Sequence, residues 1–173
     1  MVKPVGMQEM TEMQRLWAPW RMQYVADPDA QECIFCAKPK QDNDEQTHIL
    51  YRREAVFVML NAYPYANGHL MVAPYRHVGE IGDLTPEELA GLGREAQACV
   101  ALLAQTVNPH GFNLGMNLGR VAGAGFVGHT HLHIVPRWEG DTNFMPVLAD
   151  TRVLAEALSD TYAKLKAALR PDR

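Results

Sequence analysis

Residues 129–136 read HTHLHIVP, and histidine alternates with other residues over the first half of this stretch. In a β-strand successive side chains point to opposite faces, so His129, His131 and His133 would share one face. Thr130, Leu132 and Ile134 would lie on the opposite face, which resembles an ordinary face packed on a core. The pattern predicts a strand over His129–Val135 whose other face carries imidazoles about 7 Å apart.

An ordinary half-exposed strand can carry histidines by chance, and this interpretation would be preferred for a single histidine. Here three of the chain's seven histidines occupy alternate positions of one predicted strand, directly after a glycine-rich loop. Imidazole serves proteins as nucleophile, as general acid or base, and as metal ligand. The pattern therefore indicates a chemical function for this strand.

The loop before the strand, residues 119–128, reads GRVAGAGFVG and contains four glycines. Glycine permits positive φ and close backbone approach, so that amide N–H groups can converge on phosphate oxygens. Such glycines alone would indicate only turns, but here they precede the histidines, and Arg120 can add a positive charge. We expect Gly123, Gly125 and Gly128 to border a phosphate-bearing substrate.

The rest of the chain predicts an α+β fold with a mainly antiparallel sheet and two principal helices. Apolar runs rich in β-formers predict strands, and apolar residues three and four apart predict helices, the first of them with Leu89 on its apolar face. The predicted strands are Ala55–Leu60, Leu70–Ala73, Phe112–Asn117 and His129–Val135, and the predicted helices run from Thr85 to about Val107 and from Leu154 to Leu169. Thr85-Pro86-Glu87-Glu88 predicts a capping box at the first helix. Residues 37–47 lack periodicity and predict a loop.

Length and composition restrict the class of protein. The chain has 173 residues, which favours one domain, and we expect a mobile arm over 1–15 and a single domain over 16–173. Its 16 basic and 20 acidic residues give no electrostatic support for binding nucleic acid or a membrane surface. No apolar run approaches the roughly 18 residues that span a bilayer, and residues 1–13 do not resemble a signal peptide. We expect a cytoplasmic location.

The chain resembles the histidine-triad (HIT) superfamily of nucleotidyl hydrolases and transferases from about Leu16 to Leu169. The similarity rests on HTHLHIVP together with the following segments: CIFC at 33–36, Asn61 with Gly68-His69, VAPYRH at 72–77 and NLG at 117–119. The segments LWAPWRMQYV and PRWEGDTNFMPV are similar to the bacterial branch that includes diadenosine tetraphosphate phosphorylases. The resemblance implies a HIT-like fold.

The resemblance also implies roles for individual residues. His131 would attack the α-phosphate of an adenine nucleotide conjugate, such as a diadenosine polyphosphate or an adenylyl phosphoramidate, and carry the nucleotide covalently. His133 would bind a phosphate oxygen or pass a proton to the leaving group, and His69 would orient the triad. Asn61 would bind the ribose, unless it serves only the turn of its hairpin, and Asn117 would contact phosphate.

Three alternative functions are compatible with these residues. Water would resolve the intermediate in a hydrolase, and inorganic phosphate would resolve it in a phosphorylase. His133 resembles the hydrolase-like members, because several transferases have glutamine there. A low-turnover nucleotide-binding scaffold is the third, but a pure binder has no chemical need for three aligned imidazoles. The apolar LWAPW segment and the habit of the family favour a homodimer.

Cys33 and Cys36 have the spacing of half a tetrahedral zinc site. His48, His77 and His129 are the histidines that could complete it, and the alternative is a pair of reduced cysteines beside hydrogen-bonded histidines. The resemblance selects His77 and His129. A closed set of four protein ligands leaves no open coordination position, so we expect the zinc to be structural.

Overall fold

A computed structural model describes residues 32–141 and 156–169 of the chain. The strands are β1 (Ile49–Arg52), β2 (Val56–Leu60), β3 (Leu70–Pro74), β4 (Gly111–Met116) and β5 (Leu132–Arg137). The helices are α1 (Ile34–Ala37), α2 (Asp44–Thr47), α3 (Pro86–Val107) and α4 (Leu158–Ala168), with 3₁₀ turns at Lys38–Lys40, Ile81–Asp83 and Arg120–Ala122. The predicted arm over 1–15 and the LWAPW segment lie outside the described residues.

The strands form one sheet in the order β1-β2-β3-β5-β4, and every neighbouring pair is antiparallel. The predicted hairpin between β2 and β3 is confirmed, because both segments are apolar and rich in β-formers and the residues between them favour turns. The predicted α+β class is confirmed too. No helix in the described part of the chain is long and apolar enough to cross a membrane.

The two faces of the sheet pack against different partners. Helices α3 and α4 cover one face, where the buried residues are Leu50, Val56, Val58, Leu60, Leu70, Val72, Leu92, Cys99, Leu102, Leu103, Ile134, Tyr162 and Leu165. The opposite face carries a smaller buried cluster, Phe35, Ile49, Phe57, Met59, Met71 and Ala73. His133 is paired with Met71 across β5 and β3. Directly paired residues of antiparallel strands share a face, so the catalytic candidates lie opposite α3.

Helix α3 begins with the predicted capping box. The Thr85 hydroxyl accepts a hydrogen bond from the Glu88 amide, and the Glu88 carboxylate accepts one from the Thr85 amide. The Glu88 carboxylate also pairs with Arg76, which ties the helix start to the segment after β3. The prediction that Leu89 faces the core is wrong: its side chain is 51% exposed. The buried stripe begins at Glu88 and continues through Gly91 and Leu92, and Leu89 lies beside it.

We expect Thr85→Ala to lower the free energy of unfolding by about 1 kcal/mol, because the substitution leaves the Glu88 amide without its capping acceptor. Urea unfolding followed by circular dichroism measures this loss. Thr85→Ser retains the hydroxyl and should unfold close to the wild-type midpoint. Equal midpoints for the alanine and serine variants would contradict the assigned cap.

The predicted strand over His129–Val135 begins later than expected, at Leu132. The reason lies at Thr130, whose amide donates to the carbonyl of Val78 at 2.6 Å and whose hydroxyl donates to the carbonyl of Gly79. These acceptors lie in the loop after β3. Residues 129–131 are therefore held outside the hydrogen-bonded pairing of β5 with its neighbouring strands. The other three predicted strands agree with the structure to within one residue.

The prediction of a featureless loop over 37–47 is wrong, because this stretch contains a 3₁₀ turn and α2. Asn43 caps α2 by accepting a hydrogen bond from the Gln46 amide. The sequence did not predict these elements because a single helical turn is too short to show periodicity. Strand β1 follows at once and was not predicted. Helix α4 begins at Leu158 rather than at Leu154, which lies outside the described residues.

Candidate functional site

The candidate site lies on the sheet face opposite α3, at the start of β5. His131 and His133 project to this side because Leu132 and Ile134, the residues next to and between them, pack on the helix-covered side. The side chains of both histidines are buried, with exposed fractions of 6% and 8%. Their ring centroids are 4.8 Å apart.

The His131 ring is held in one tautomer by the backbone. Its Nδ1 lies 2.8 Å from the carbonyl oxygen of His129. A carbonyl can only accept, so Nδ1 carries the proton and donates it. Burial lowers the pKa of His131, and the imidazole is therefore neutral near pH 7. A neutral ring protonated at Nδ1 has its lone pair on Nε2, which is the form that a nucleophile needs.

A second chain of hydrogen bonds fixes the tautomers of His69 and His133. The Tyr65 amide donates to Nδ1 of His69 at 3.1 Å, so His69 carries its proton on Nε2. That nitrogen lies 2.9 Å from Nδ1 of His133 and donates to it. His133 in turn carries its proton on Nε2. The two histidines of β5 thus differ: His131 offers a lone pair at Nε2, and His133 offers an N–H.

Asn61 takes part in this chain. Its Oδ1 accepts from the Tyr63 amide at 2.9 Å, which leaves Nδ2 to donate to Nδ1 of His69 at 3.3 Å. The turn chemistry considered for this residue is therefore present, and the same side chain also supports the tautomer of His69. The backbone amide of Asn61 also donates to the carbonyl of His69 at 3.0 Å, which holds the two ends of the β2–β3 loop beside each other.

The structure brings together the four metal-ligand candidates selected in the sequence, Cys33, Cys36, His77 and His129. Their ligand atoms all lie within 4.8 Å of one another. His129 Nδ1 lies 3.4 and 3.5 Å from the sulfurs of Cys33 and Cys36, and His77 Nδ1 lies 3.3 Å from the sulfur of Cys36. A tetrahedral zinc ion would hold such sulfur and nitrogen atoms about 3.6 Å apart, so the donor set fits. His48 is not in this group.

The surroundings of the cluster also suit a cation. His129 Nε2 donates to the carbonyl of Pro74 at 2.9 Å, so its Nδ1 lone pair faces the sulfurs, as in metal-binding histidines. Burial lowers the pKa of His129 to about 4, which keeps it neutral. Burial also raises the pKa of the Cys33 thiol to about 11 and so favours the protonated thiol. A bound cation would favour the thiolate instead, because the thiolate is the form that binds metal.

The glycine-rich loop requires glycine at some positions for a positive φ and at Gly128 for a close approach to His77. Gly119 and Gly123 adopt positive φ, at 78° and 85°, which side chains rarely tolerate. The side-chain Nδ2 of Asn117 donates to the carbonyl of Gly123 at 3.4 Å and so fastens the loop to the end of β4. At Gly128, a Cβ would lie 3.1 Å from Nε2 of His77, whereas at Gly125 a Cβ would meet nothing within 4 Å.

Two residues at the site were missed by sequence reasoning. Phe35 stacks on His131, and Tyr65 packs against His69 with the two rings tilted by 33° and their centroids 4.6 Å apart. The position of Phe35 between Cys33 and Cys36 was a usable signal, since any turn that brings both sulfurs to one ion fixes the residues between them. The Tyr65 amide carries no signal in the sequence, because a backbone donor is present at nearly every residue.

Comparison with known proteins agrees with this geometry. The HIT domain family matches residues 42–140. AP-4-A phosphorylase from Mycobacterium tuberculosis is 40% identical over 164 residues, which cover 90% of this chain and 84% of the relative. Bis(5'-adenosyl)-triphosphatase from Dictyostelium discoideum is 34% identical over 96 residues, covering 56% of this chain and 64% of the relative.

Solved structures show the same fold. A Zn-bound histidine triad family protein from Mycobacterium smegmatis superposes with a TM-score of 0.63 at 27% identity, over 79% of this chain and 92% of that one. The family match covers more than half of the chain, and the alignment with the M. tuberculosis AP-4-A phosphorylase covers 90% of it. With its fold and its histidine pattern, this chain belongs to the HIT domain family.

Proposed function

We propose that this chain cleaves dinucleoside polyphosphates or related adenine nucleotide conjugates at the α-phosphate, through a nucleotide bound covalently to His131. Membership of the HIT family, with relatives named as a phosphorylase and a triphosphatase, makes the chain an enzyme of the nucleotidyl hydrolase or transferase class. The observation that carries the proposal is the His131 Nδ1 contact with the His129 carbonyl. This contact leaves the lone pair on Nε2 of a neutral imidazole, which is the nucleophile.

In the first step, Nε2 of His131 attacks the α-phosphorus, and the bond from phosphorus to the bridging oxygen of the leaving polyphosphate breaks. The departing oxygen gains charge as this bond breaks, and a nearby N–H stabilises it or transfers a proton to it. His133 Nε2–H, oriented through His69, is the donor available for this role. The product is a phosphoramidate between His131 and the nucleotide.

In the second step, an acceptor oxygen attacks the same phosphorus and the P–N bond to His131 breaks. Water as the acceptor releases a nucleoside monophosphate. Inorganic phosphate as the acceptor releases a nucleoside diphosphate, which is the second candidate function. The mycobacterial relative named AP-4-A phosphorylase, 40% identical over 90% of this chain, favours phosphate.

Incubation of the pure protein with diadenosine tetraphosphate, with and without inorganic phosphate, separates these functions when the products are resolved by chromatography. ADP and ATP formed only with phosphate would identify a phosphorylase. AMP and ATP formed without phosphate would identify a hydrolase. Tight nucleotide binding without either product pair would identify the scaffold alternative and contradict the proposed enzyme activity on this substrate.

For substrate binding, we assign the ribose to Asn61 and the phosphates to Asn117 and to the loop amides around Gly123, Gly125 and Gly128. Asn61 is held beside His69, so a ribose there would place the α-phosphate near the paired histidines. The positive φ at Gly123 orients backbone that a bulkier residue would redirect. The domain boundary at residue 16 is proposed on the family resemblance.

We assign a structural zinc ion to Cys33, Cys36, His77 and His129. The fit of their distances to tetrahedral geometry supports this assignment, as does the similar protein from M. smegmatis described as Zn-bound. Zinc here would cross-link the α1 turn to the segments after β3 and before β5, with no coordination position left for substrate.

We expect Gly128→Ala to weaken zinc binding by about tenfold or more, because the new Cβ would press on the ring of the ligand His77. Competition with a chromogenic chelator measures the affinity. Gly125→Ala is the matched control, since its Cβ would enter open space. Equal affinities for the two variants would show that His77 is not held at this place as a ligand.

We also propose a cytoplasmic homodimer. Strand β4 is an edge of the sheet, and its residue Leu114 is 49% exposed. An edge strand with an exposed apolar side chain favours contact with a second chain, which would pair with the strand or cover it. Cysteines that bind zinc must be reduced, which suits a reducing compartment. Light scattering should give twice the chain mass of 19.3 kDa. A mass of one chain at micromolar concentration would contradict the dimer.

A further inference from the structure

We propose that Phe35 is a positioning residue, which holds the His131 ring in its attacking orientation and is itself held by the metal cluster. The proposal rests on the proposed role of His131 as the nucleophile. It adds a residue that does not touch the reacting phosphate and acts through the ring that does.

Phe35 covers one face of the nucleophile. The two ring centroids are 4.5 Å apart with an interplanar angle of 28°, which is a stacked arrangement. Phe35 is 1% exposed, so its ring is enclosed by neighbours and cannot swing away without opening the smaller cluster. It also lies 5.1 Å from the ring of His129, so one side chain contacts both the metal-ligand candidate and the nucleophile.

The His131 ring needs this support because its hydrogen bond fixes only one atom. The bond from Nδ1 to the His129 carbonyl sets the tautomer, but the second side-chain torsion of histidine is broad. The His133 ring meets His131 edge to face, at 4.8 Å and 72°, and limits the tilt on one side. The flat contact with Phe35 limits it on another. Misplacement of a reacting atom by about 1 Å can cost about a hundredfold in rate.

The position of Phe35 is in turn set by the cysteines around it. Helix α1 is a single turn in which the Cys33 carbonyl accepts from the amides of Cys36 and Ala37 at 3.0 and 2.9 Å. A turn this short is not stable alone. The sulfurs of Cys33 and Cys36 converge on His129, and a metal ion shared by them would lock the turn. Phe35 therefore transmits the rigidity of the cluster to His131.

The test compares Phe35→Leu with Phe57→Leu on zinc-loaded protein. Phe57 is a matched control because it is fully buried in the same cluster, but its ring packs on Tyr75, at 5.3 Å. We expect Phe35→Leu to retain zinc and KM while kcat falls about tenfold to a hundredfold. We expect Phe57→Leu to lose stability with little change in kcat. Phe35→Met is a second variant without a ring, should the leucine variant not fold.

A spectroscopic measurement on the wild-type protein needs no turnover. A ring stacked at this distance shifts the His131 ring protons upfield in the NMR spectrum, and the shift should disappear in Phe35→Leu. Ordinary His131 shifts in the wild type, or a kcat for Phe35→Leu as high as for Phe57→Leu, would overturn the proposal. A rise in KM alone would overturn it too, by showing that Phe35 contacts substrate. If the wild type turns over no nucleotide, the proposed function fails, while the shifts still decide the stacking.

Discussion

We expect His131→Ala to lower kcat for a dinucleoside polyphosphate by about 10⁴-fold or more, because the variant has no atom to carry the nucleotide. Nucleotide binding should be largely retained, since the proposed binding sites for the phosphates and the ribose lie on other residues. Rapid-quench kinetics measure kcat, and calorimetry with a non-hydrolysable nucleotide measures binding.

A matched control is His110→Ala, which removes an imidazole from the opposite end of the β4–β5 pair. His110 is exposed and accepts from the Glu139 amide at 2.9 Å, away from the triad. It should leave kcat close to that of the wild type. A residual kcat within tenfold of wild type in His131→Ala would contradict covalent catalysis by this residue.

The second large effect is expected at the metal cluster. Cys36→Ser should abolish stoichiometric zinc, because Cys36 sulfur contacts both histidines of the group and serine is a poor zinc ligand at neutral pH. The loss of the cross-link should lower Tm by about 10 °C or more in a chain of this length. Metal analysis by mass spectrometry and a thermal scan on the same sample measure the two effects.

Cys99→Ala is the control for the loss of a thiol. Cys99 is fully buried between α3 and the sheet, apart from the metal cluster, so the variant should retain zinc and show only the cost of a small cavity and of the lost contact with the Tyr51 hydroxyl. Full zinc in Cys36→Ser with an unchanged Tm would show that the four residues are not a metal site.

The sequence predicted those elements whose information is local. Apolar runs rich in β-formers predicted β2 and β3, and the order of Thr85 and Glu88 predicted the start of α3, because both signals depend only on neighbouring residues. The start of β5 could not be predicted in this way. It depends on the carbonyls of Val78 and Gly79, which lie some fifty residues earlier and capture Thr130.

The same distinction applies to the site. The pattern of the histidines predicted which imidazoles would share a face, and family resemblance selected His77 over His48 as a ligand candidate. Chain spacing alone could not choose between them, because the folding of β3 against β5 is what carries His77 to the α1 turn. The tautomers of His69 and His133 depend on the Tyr65 amide, and amides look alike in a sequence.

The central claim is the covalent nucleotide on His131, and isolation of that intermediate tests it most directly. The enzyme would be mixed with diadenosine tetraphosphate in the absence of phosphate, quenched in base to preserve an acid-labile phosphoramidate, and digested for mass spectrometry. We predict one adenylyl group on the peptide that contains His131, formed within a turnover and then discharged by water as AMP or, after phosphate is added, as ADP. Product formation without any adduct, or an adduct on a different residue, would contradict the proposed mechanism.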